Sequence, residues 1–127
     1  MRCIGLAALL LAVAATTAQA GSIATPPLLS DPGVSALCAV VNANTKGSTI
    51  NVTVSIFNGN GVLLNSQSCP TLAMGTSCQA QASAGAQLVY CTMKIPPAWY
   101  LSVAHLNLML VDASGLVTSS MPGRFED

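Results

Sequence analysis

The residues with the most chemistry in this chain are its five cysteines and its single histidine, His105. Cysteine thiols bind metals, attack carbonyls or pair as disulfides, and their spacing and surroundings decide which. Cys38, Cys69, Cys78 and Cys91 are widely spread, and even the nearest pair, Cys69 and Cys78, has eight residues between its members. A four-thiolate zinc site usually gathers its ligands as two close C-x-x-C pairs, so this spacing favours two disulfides over metal. Of the three pairings open to four cysteines, Cys38–Cys91 with Cys69–Cys78 fits best. Cys38 and Cys91 each sit mid-segment among apolar residues, as the ends of a bridge through a core would, whereas Cys69 and Cys78 bracket one loop. On the loop-entropy model the long link stabilises by about 4 kcal/mol and the short one by about 2.7 kcal/mol.

Catalysis needs more than one histidine. The remaining acids, Asp31, Asp112, Glu126 and Asp127, are scattered singly. A hydrolytic triad needs a base within reach of a nucleophile and a third group to orient it. No serine here lies in a Gly-x-Ser-x-Gly elbow, and His105 falls on the more polar face of its segment, where a surface role suits it. Calcium loops cluster carboxylates within a dozen residues, and Asn58-Gly59-Asn60-Gly61 carries none. The sequence therefore points to a protein that is not an enzyme and has neither metal nor cofactor. Asn51-Val52-Thr53 matches the N-glycosylation sequon, and its Asn51 should face outward from a strand. Trp99-Tyr100, beside Pro96-Pro97, is a compact aromatic cluster. It reads as the cap on one end of the domain, with a contact patch for a sugar or protein partner as the rival.

Composition narrows the partners. The formal net charge is zero and 6% of residues are charged, which leaves no basic footprint for nucleic acid or for an anionic membrane surface. At the start, Arg2 precedes an apolar run over residues 4–15, and Ala18-Gln19-Ala20 supplies a small-x-small tripeptide. That is the pattern of a signal peptide cut between Ala20 and Gly21. The run is shorter than the roughly 20 apolar residues of a spanning helix. Removing residues 1–20 also removes Cys3 and leaves the four cysteines for pairing in an oxidising compartment, periplasmic or secreted.

The elements that must hold these residues are strands. Ile50, Val52, Val54 and Ile56 alternate with Asn51, Thr53 and Ser55, a period of two over a β-branched run. The doubled Asn-Gly that follows marks a tight hairpin, and residues 62–66 return from it. Residues 34–41, 77–81, 87–95 and 116–119 read as further strands bounded by turn formers. Residues 101–111 alternate as Ala104, Leu106, Leu108 and Leu110 against Val103, His105, Asn107 and Met109, which is cleaner as a strand than as a helix. Residues 69–78 read as a loop crossing between sheets. The expected fold is an all-β, antiparallel sandwich of about seven strands over residues 34–120. Residues 21–33 would be an extended lead-in without a core of its own, and residues 121–127 a polar tail.

The layout resembles an immunoglobulin-like sandwich, with an early strand tied to a late one. Two marks of true immunoglobulin domains are missing: Trp99 follows Cys91, and Leu88 stands where a tyrosine would precede the second cysteine by two residues. The order Cys38-Ala39-Val40-Val41-Asn42, then an alternating strand and hairpin, then Leu72-Ala73-Met74-Gly75 and Tyr90-Cys91, resembles small secreted bacterial proteins. That resemblance implies a bacterial exported β-sandwich and brings no activity with it.

The functional expectation is a non-catalytic exported module, structural or binding, whose sandwich edges invite strand addition or self-assembly. A secreted inhibitor presenting the Cys69–Cys78 loop is the alternative, and a small hydrolase using His105 stands behind it. Peptide mass mapping of the exported protein without reduction should find a chain beginning at Gly21 with Cys38–Cys91 and Cys69–Cys78 linked. Free thiols or a retained N-terminus would overturn the compartment assignment.

Overall fold

A computed structural model describes residues 21–95 and 104–125. The export segment with Ala20, and the Trp99-Tyr100 cluster, lie outside the described residues. All regular structure among the described residues is strand: β1 (Gly21–Ala24), β2 (Leu28–Leu29), β3 (Ser35–Asn42), β4 (Ile50–Asn58), β5 (Leu63–Leu72), β6 (Ser77–Ser83), β7 (Leu88–Ile95), β8 (Ala104–Val111), β9 (Val117–Pro122) and β10 (Arg124–Phe125). They form two antiparallel sheets. The larger runs β10-β1-β7-β4-β5, with β2 also on β7, and the smaller runs β6-β3-β8-β9. No described helix is long and apolar enough to cross a membrane.

Period-two patterning builds the core between the sheets. Val52, Val54 and Ile56 of β4 point inward with Val89, Cys91, Met93 and Ile95 of β7, all fully buried. The facing sheet supplies Ala36, Cys38 and Val40 from β3, Ala80 from β6, and Leu106 and Leu108 from β8. Small residues on β3 and β6 thus meet large ones on β4 and β7, which lets the two layers interdigitate. The alternation expected for residues 104–111 holds: the even positions are buried and the odd ones more open.

The seven expected strands are β3 to β9, and the three additions are at the ends. The lead-in over residues 21–33 is extended, but it belongs to the sandwich. Residues Gly21 to Ala24 pair with Ile95 to Thr92, and Ile23 enters the core. Pro26-Pro27 then breaks the ladder because proline has no N–H to donate. Thr25 compensates just before the break. Its N–H donates to the Cys91 carbonyl at 3.0 Å, and its hydroxyl accepts from the Cys91 N–H at 3.0 Å. The tail is drawn in likewise, since Ile23 and Ala24 pair with Phe125 and Arg124. Strands of two to four residues carry too little periodicity to be recognised alone; their pairing comes from a partner already in place.

The loop expected over residues 69–78 is much shorter. β5 runs on through Cys69 and Pro70 to Leu72, leaving a turn at residues 73–76 before β6. Pro70 is tolerated because β5 is an edge strand.

One buried polar side chain organises this end of the sandwich. Asn42 is fully buried at the end of β3. Its Nδ2 donates to the Leu72 carbonyl at 2.8 Å and the Ser48 carbonyl at 3.0 Å, while its Oδ1 accepts from the Asn44 N–H at 3.0 Å. Its backbone takes the Gly75 N–H at 2.8 Å and gives its own N–H to Thr76 at 3.1 Å. A single amide therefore ties together two connections that cross between the sheets. Asn42→Ala leaves two buried backbone groups and one part-buried one unpaired and should cost about 3 kcal/mol. Equilibrium urea unfolding checks this, and a loss below about 1 kcal/mol would show that the loops repair themselves.

Candidate functional site

The sandwich is closed differently at its two sides. On one side β5 ends the larger sheet and β6 ends the smaller, and the two are stapled to each other. Cys69 of β5 is bridged to Cys78 of β6 with 6.1 Å between Cα atoms, and Asn65 Nδ2 donates to the Gln81 carbonyl at 2.7 Å. On the other side β9 ends the smaller sheet and the chain crosses to β10 in the larger through Gly123. There the Gly123 N–H donates to the Leu106 carbonyl at 2.7 Å. A side chain at this position would meet Leu106 Cβ at 2.8 Å and Ile23 Cγ2 at 3.0 Å, so the crossing requires glycine.

Beside that crossing lies a recess of about 500 Å³. Among the described residues it is walled by Ala39 and Val41 of β3, His105, Asn107 and Met109 of β8, and Pro122 and Gly123 at the end of β9. Ile23, Ala104 and Leu106 also line it. Cross-strand pairing explains the hollow. Val41 sits opposite His105, Asn107 opposite Pro122, and Ala39 opposite both Asn107 and Gln79. A methyl group set between longer side chains leaves a depression above it. The walls are apolar, with the imidazole of His105 and the amide of Asn107 as polar groups. Apolar walls carrying a few polar groups are the usual make-up of a binding site for an uncharged group.

The two outer faces differ in the same direction. On the larger sheet Thr53, Ser55, Ser66, Ser68 and Thr92 present hydroxyls, and the Ser55 and Ser66 hydroxyls bond each other across β4 and β5 at 3.1 Å. On the smaller sheet Leu37, Val41, Met109, Val111 and Val117 take the corresponding positions, none of them fully buried. A half-solvated antiparallel sheet ordinarily puts polar residues outward. The exceptions here are this stripe, interrupted by Gln79, Gln81, His105 and Asn107, on the smaller sheet and the stacked Phe57–Tyr90 pair on the larger.

The β8–β9 hairpin that carries this stripe is set by Asp112. Its Oδ1 accepts from the Ser114 hydroxyl at 2.6 Å, the Ser114 N–H at 2.9 Å and the Leu116 N–H at 3.0 Å. The Ser114 hydroxyl, then the Leu116 N–H, hold the carboxyl below its ordinary value. The turn lifts Leu116 and Val117 into solvent, 65% and 48% exposed, at the start of the free strand.

Of the residues singled out in the sequence, the four cysteines come together in the two expected pairs. Cys38 of β3 faces Cys91 of β7 with Cα atoms 5.9 Å apart, and this bridge joins the two sheets inside the core. Both pairs are compatible with an oxidising compartment. Gly21 opens β1 opposite Ile95, and Asn51 is exposed on β4 beside a bulge. His105 is exposed and belongs to the recess, where no described wall residue offers it a hydroxyl nucleophile or a carboxylate. The recess itself was not apparent in the sequence. Its signal was the run of apolar residues at outward positions of β3 and β8, which only a paired register turns into a surface.

No family model matches the chain, and no curated protein does. The fold is similar to the crystal structure of Thermotoga maritima 1070, at a TM-score of 0.54 and 9% identity, over 84% of this chain and 95% of that one. At that identity the likeness is one of fold alone.

Acid should loosen the β8–β9 turn. Because the folded Asp112 carboxyl titrates below 3.8, its contribution is complete above that pH and is lost as pH falls through the lowered value. Following the Ser114 and Leu116 amides by NMR from pH 6 down to pH 2, about the range where carboxylates titrate, should show both moving together at the acid end. Asp112→Ala should remove that transition, and a transition that survives the substitution would assign it to another group.

Proposed function

We propose that this chain is an exported, non-catalytic recognition module that takes its partner at the edge of β9, unpaired among the described residues, and in the recess beside it. The observation that carries this reading is the contrast between the two sides of the sandwich. β5 and β6 are covalently stapled edge to edge, whereas β9 stands at the end of its sheet with an apolar stripe and a hollow alongside. Exposed strand edges are ordinarily guarded by charge, above all by lysine. β9, Val-Thr-Ser-Ser-Met-Pro, has no charged residue, and its guards are a bulge opposite Val111 and Pro122 at its end. A partner strand laid along it would gain main-chain hydrogen bonds and place an apolar side chain over the recess. The near absence of charge across the module leaves recognition to shape and to neutral polar contacts. Export is supported by the signal-like start and by the two cysteine pairs at bridging distance.

The inhibitor reading keeps one specific support. Met74 is 51% exposed at the tip of a turn held by the Cys69–Cys78 bridge and by Asn42. Such a loop is ordered before it binds, which lowers the entropic cost of association.

A displayed library of random twelve-residue peptides, about 40 Å when extended, separates the two. Selected against the disulfide-bonded protein, binders should carry alternating apolar residues and shift amides of β8 and β9. Met109→Glu should weaken them at least about ten-fold, a loss near 1.4 kcal/mol, and His105→Ala should have less effect. Binders that map to residues 73–76 would replace this reading with the inhibitor. Activity that disappears with His105→Ala would replace both with the hydrolase.

A further inference from the structure

We infer that the partner of the β9 edge is a second copy of this chain, the two copies pairing β9 to β9 antiparallel about a two-fold axis. The inference rests on the edge reading above and identifies its partner. Two features of one strand carry it. The turn before β9 and its first residue carry exposed apolar side chains, Leu116 and Val117, and the strand ends at Pro122 on the wall of the recess. Antiparallel pairing of a strand with itself brings the beginning of one copy to the end of the other, twice over. The unlike ends of one strand, one projecting and one beside a hollow on its β8 side, therefore meet each other twice about the axis, as an isologous interface requires. A strand with both projections or both hollows at the same end would not be.

Charge is consistent with the same occupant. Like charges facing across a two-fold axis repel, because each residue near the axis meets its own copy. The residues nearest such an axis are Thr118, Ser119 and Ser120, which are neutral and hydrogen-bonding. Pairing would also join the two apolar stripes on the outer faces into one continuous surface.

The geometry limits the assembly to two. The contact uses β9 alone, and the other terminal strands, β5, β6 and the two-residue β10, take no part in it. An isologous contact that uses the same edge on both partners closes on itself. A six-residue edge is about 20 Å long and buries less than the roughly 1,200 Å² of a standard interface, so the dimer is weak and concentration-dependent.

Sedimentation velocity on the protein recovered from the exported fraction of its host, with both bridges formed, tests this from about 1 μM to about 1 mM, the range of weak association. The weight-average mass should rise from one chain toward two and stop there. Val117→Lys should raise the dissociation constant at least ten-fold, about 1.4 kcal/mol, with an unchanged circular dichroism spectrum, while Met74→Glu should leave it as it was. A monomer throughout, a mass that climbs past two, or a dimer sensitive to Met74→Glu and not to Val117→Lys would each overturn the proposal. A synthetic peptide spanning residues 115–123 separates this failure from failure of the edge reading. If selected library peptides shift the β9 amides but the chain's own peptide does not and the chain stays monomeric, the edge recognises a different partner. If no peptide shifts those amides, the edge reading fails as well.

Discussion

The link between Cys38 and Cys91 is the constraint on which the rest of this sandwich depends. Each cysteine is central in its sheet: β3 lies between β6 and β8, and β7 lies between β4 and the β1–β2 pair. A covalent tie between two central strands fixes the separation and the relative rotation of the layers at once. The aromatic content is only 4%, so the core is filled by Val, Ile, Leu, Met and Ala, side chains that bury less area each than Phe or Trp. A core of that kind benefits most from a constraint on the unfolded chain, because the link joins residues 53 apart and removes much of their freedom before folding begins.

Once the layers are fixed, the polar exceptions inside them become intelligible. Asn42 is buried where β3 leaves its sheet, and its amide bonds carbonyls and an N–H that a turn cannot satisfy for itself. Thr25 does the same for a ladder that Pro26-Pro27 interrupts. Both sit where a strand ends or breaks inside a two-layer structure, and backbone groups left unpaired there would cost more than the burial of a polar side chain. The same reasoning explains Gly123. The chain can cross from one sheet to the other close against Leu106 and Ile23 only where no side chain intervenes.

This also explains how far the fold could be read from the residues. Strands β4, β6, β7 and β8 announce themselves because each buries alternate residues, as in Ile50, Val52, Val54 and Ile56. β3 is an apolar run bounded by turn formers, and β5 and β9 are marked by the turns before them. The disulfide pairing was legible for a related reason, since a cysteine at an inward position of a periodic strand has its direction set by its neighbours. β1, β2 and β10 were not legible. Gly21 to Ala24 is short, lies next to an apolar leader and precedes two prolines, so nothing local distinguishes a paired strand from a linker. The end of β5 was missed because Cys69-Pro70 looks like a break, although an edge strand accommodates proline at little cost. The recess was illegible in kind. Ala39, His105 and Pro122 are remote in sequence, and only the register of β3, β8 and β9 makes them neighbours.

The asymmetry between the two sides of the sandwich follows from the same chain order. A second bridge, Cys69–Cys78, spans only nine residues and adds less chain restriction than the first, so its larger consequence is positional. It lies where the larger sheet's last strand meets the smaller sheet's first, and it holds those two edges against each other. No comparable link guards β9, whose geometry is governed by the Asp112 turn at one end and the Gly123 crossing at the other. A small neutral domain with two open edges would be exposed to unlimited strand pairing, since it lacks the charge that ordinarily discourages it. With β5 and β6 held together, β9 and the two-residue β10 are the sheet ends without such a link among the described residues. Among the sheet ends, β9 is the one that is uncharged and flanked by a hollow, and that is the physical ground for proposing it as a recognition element.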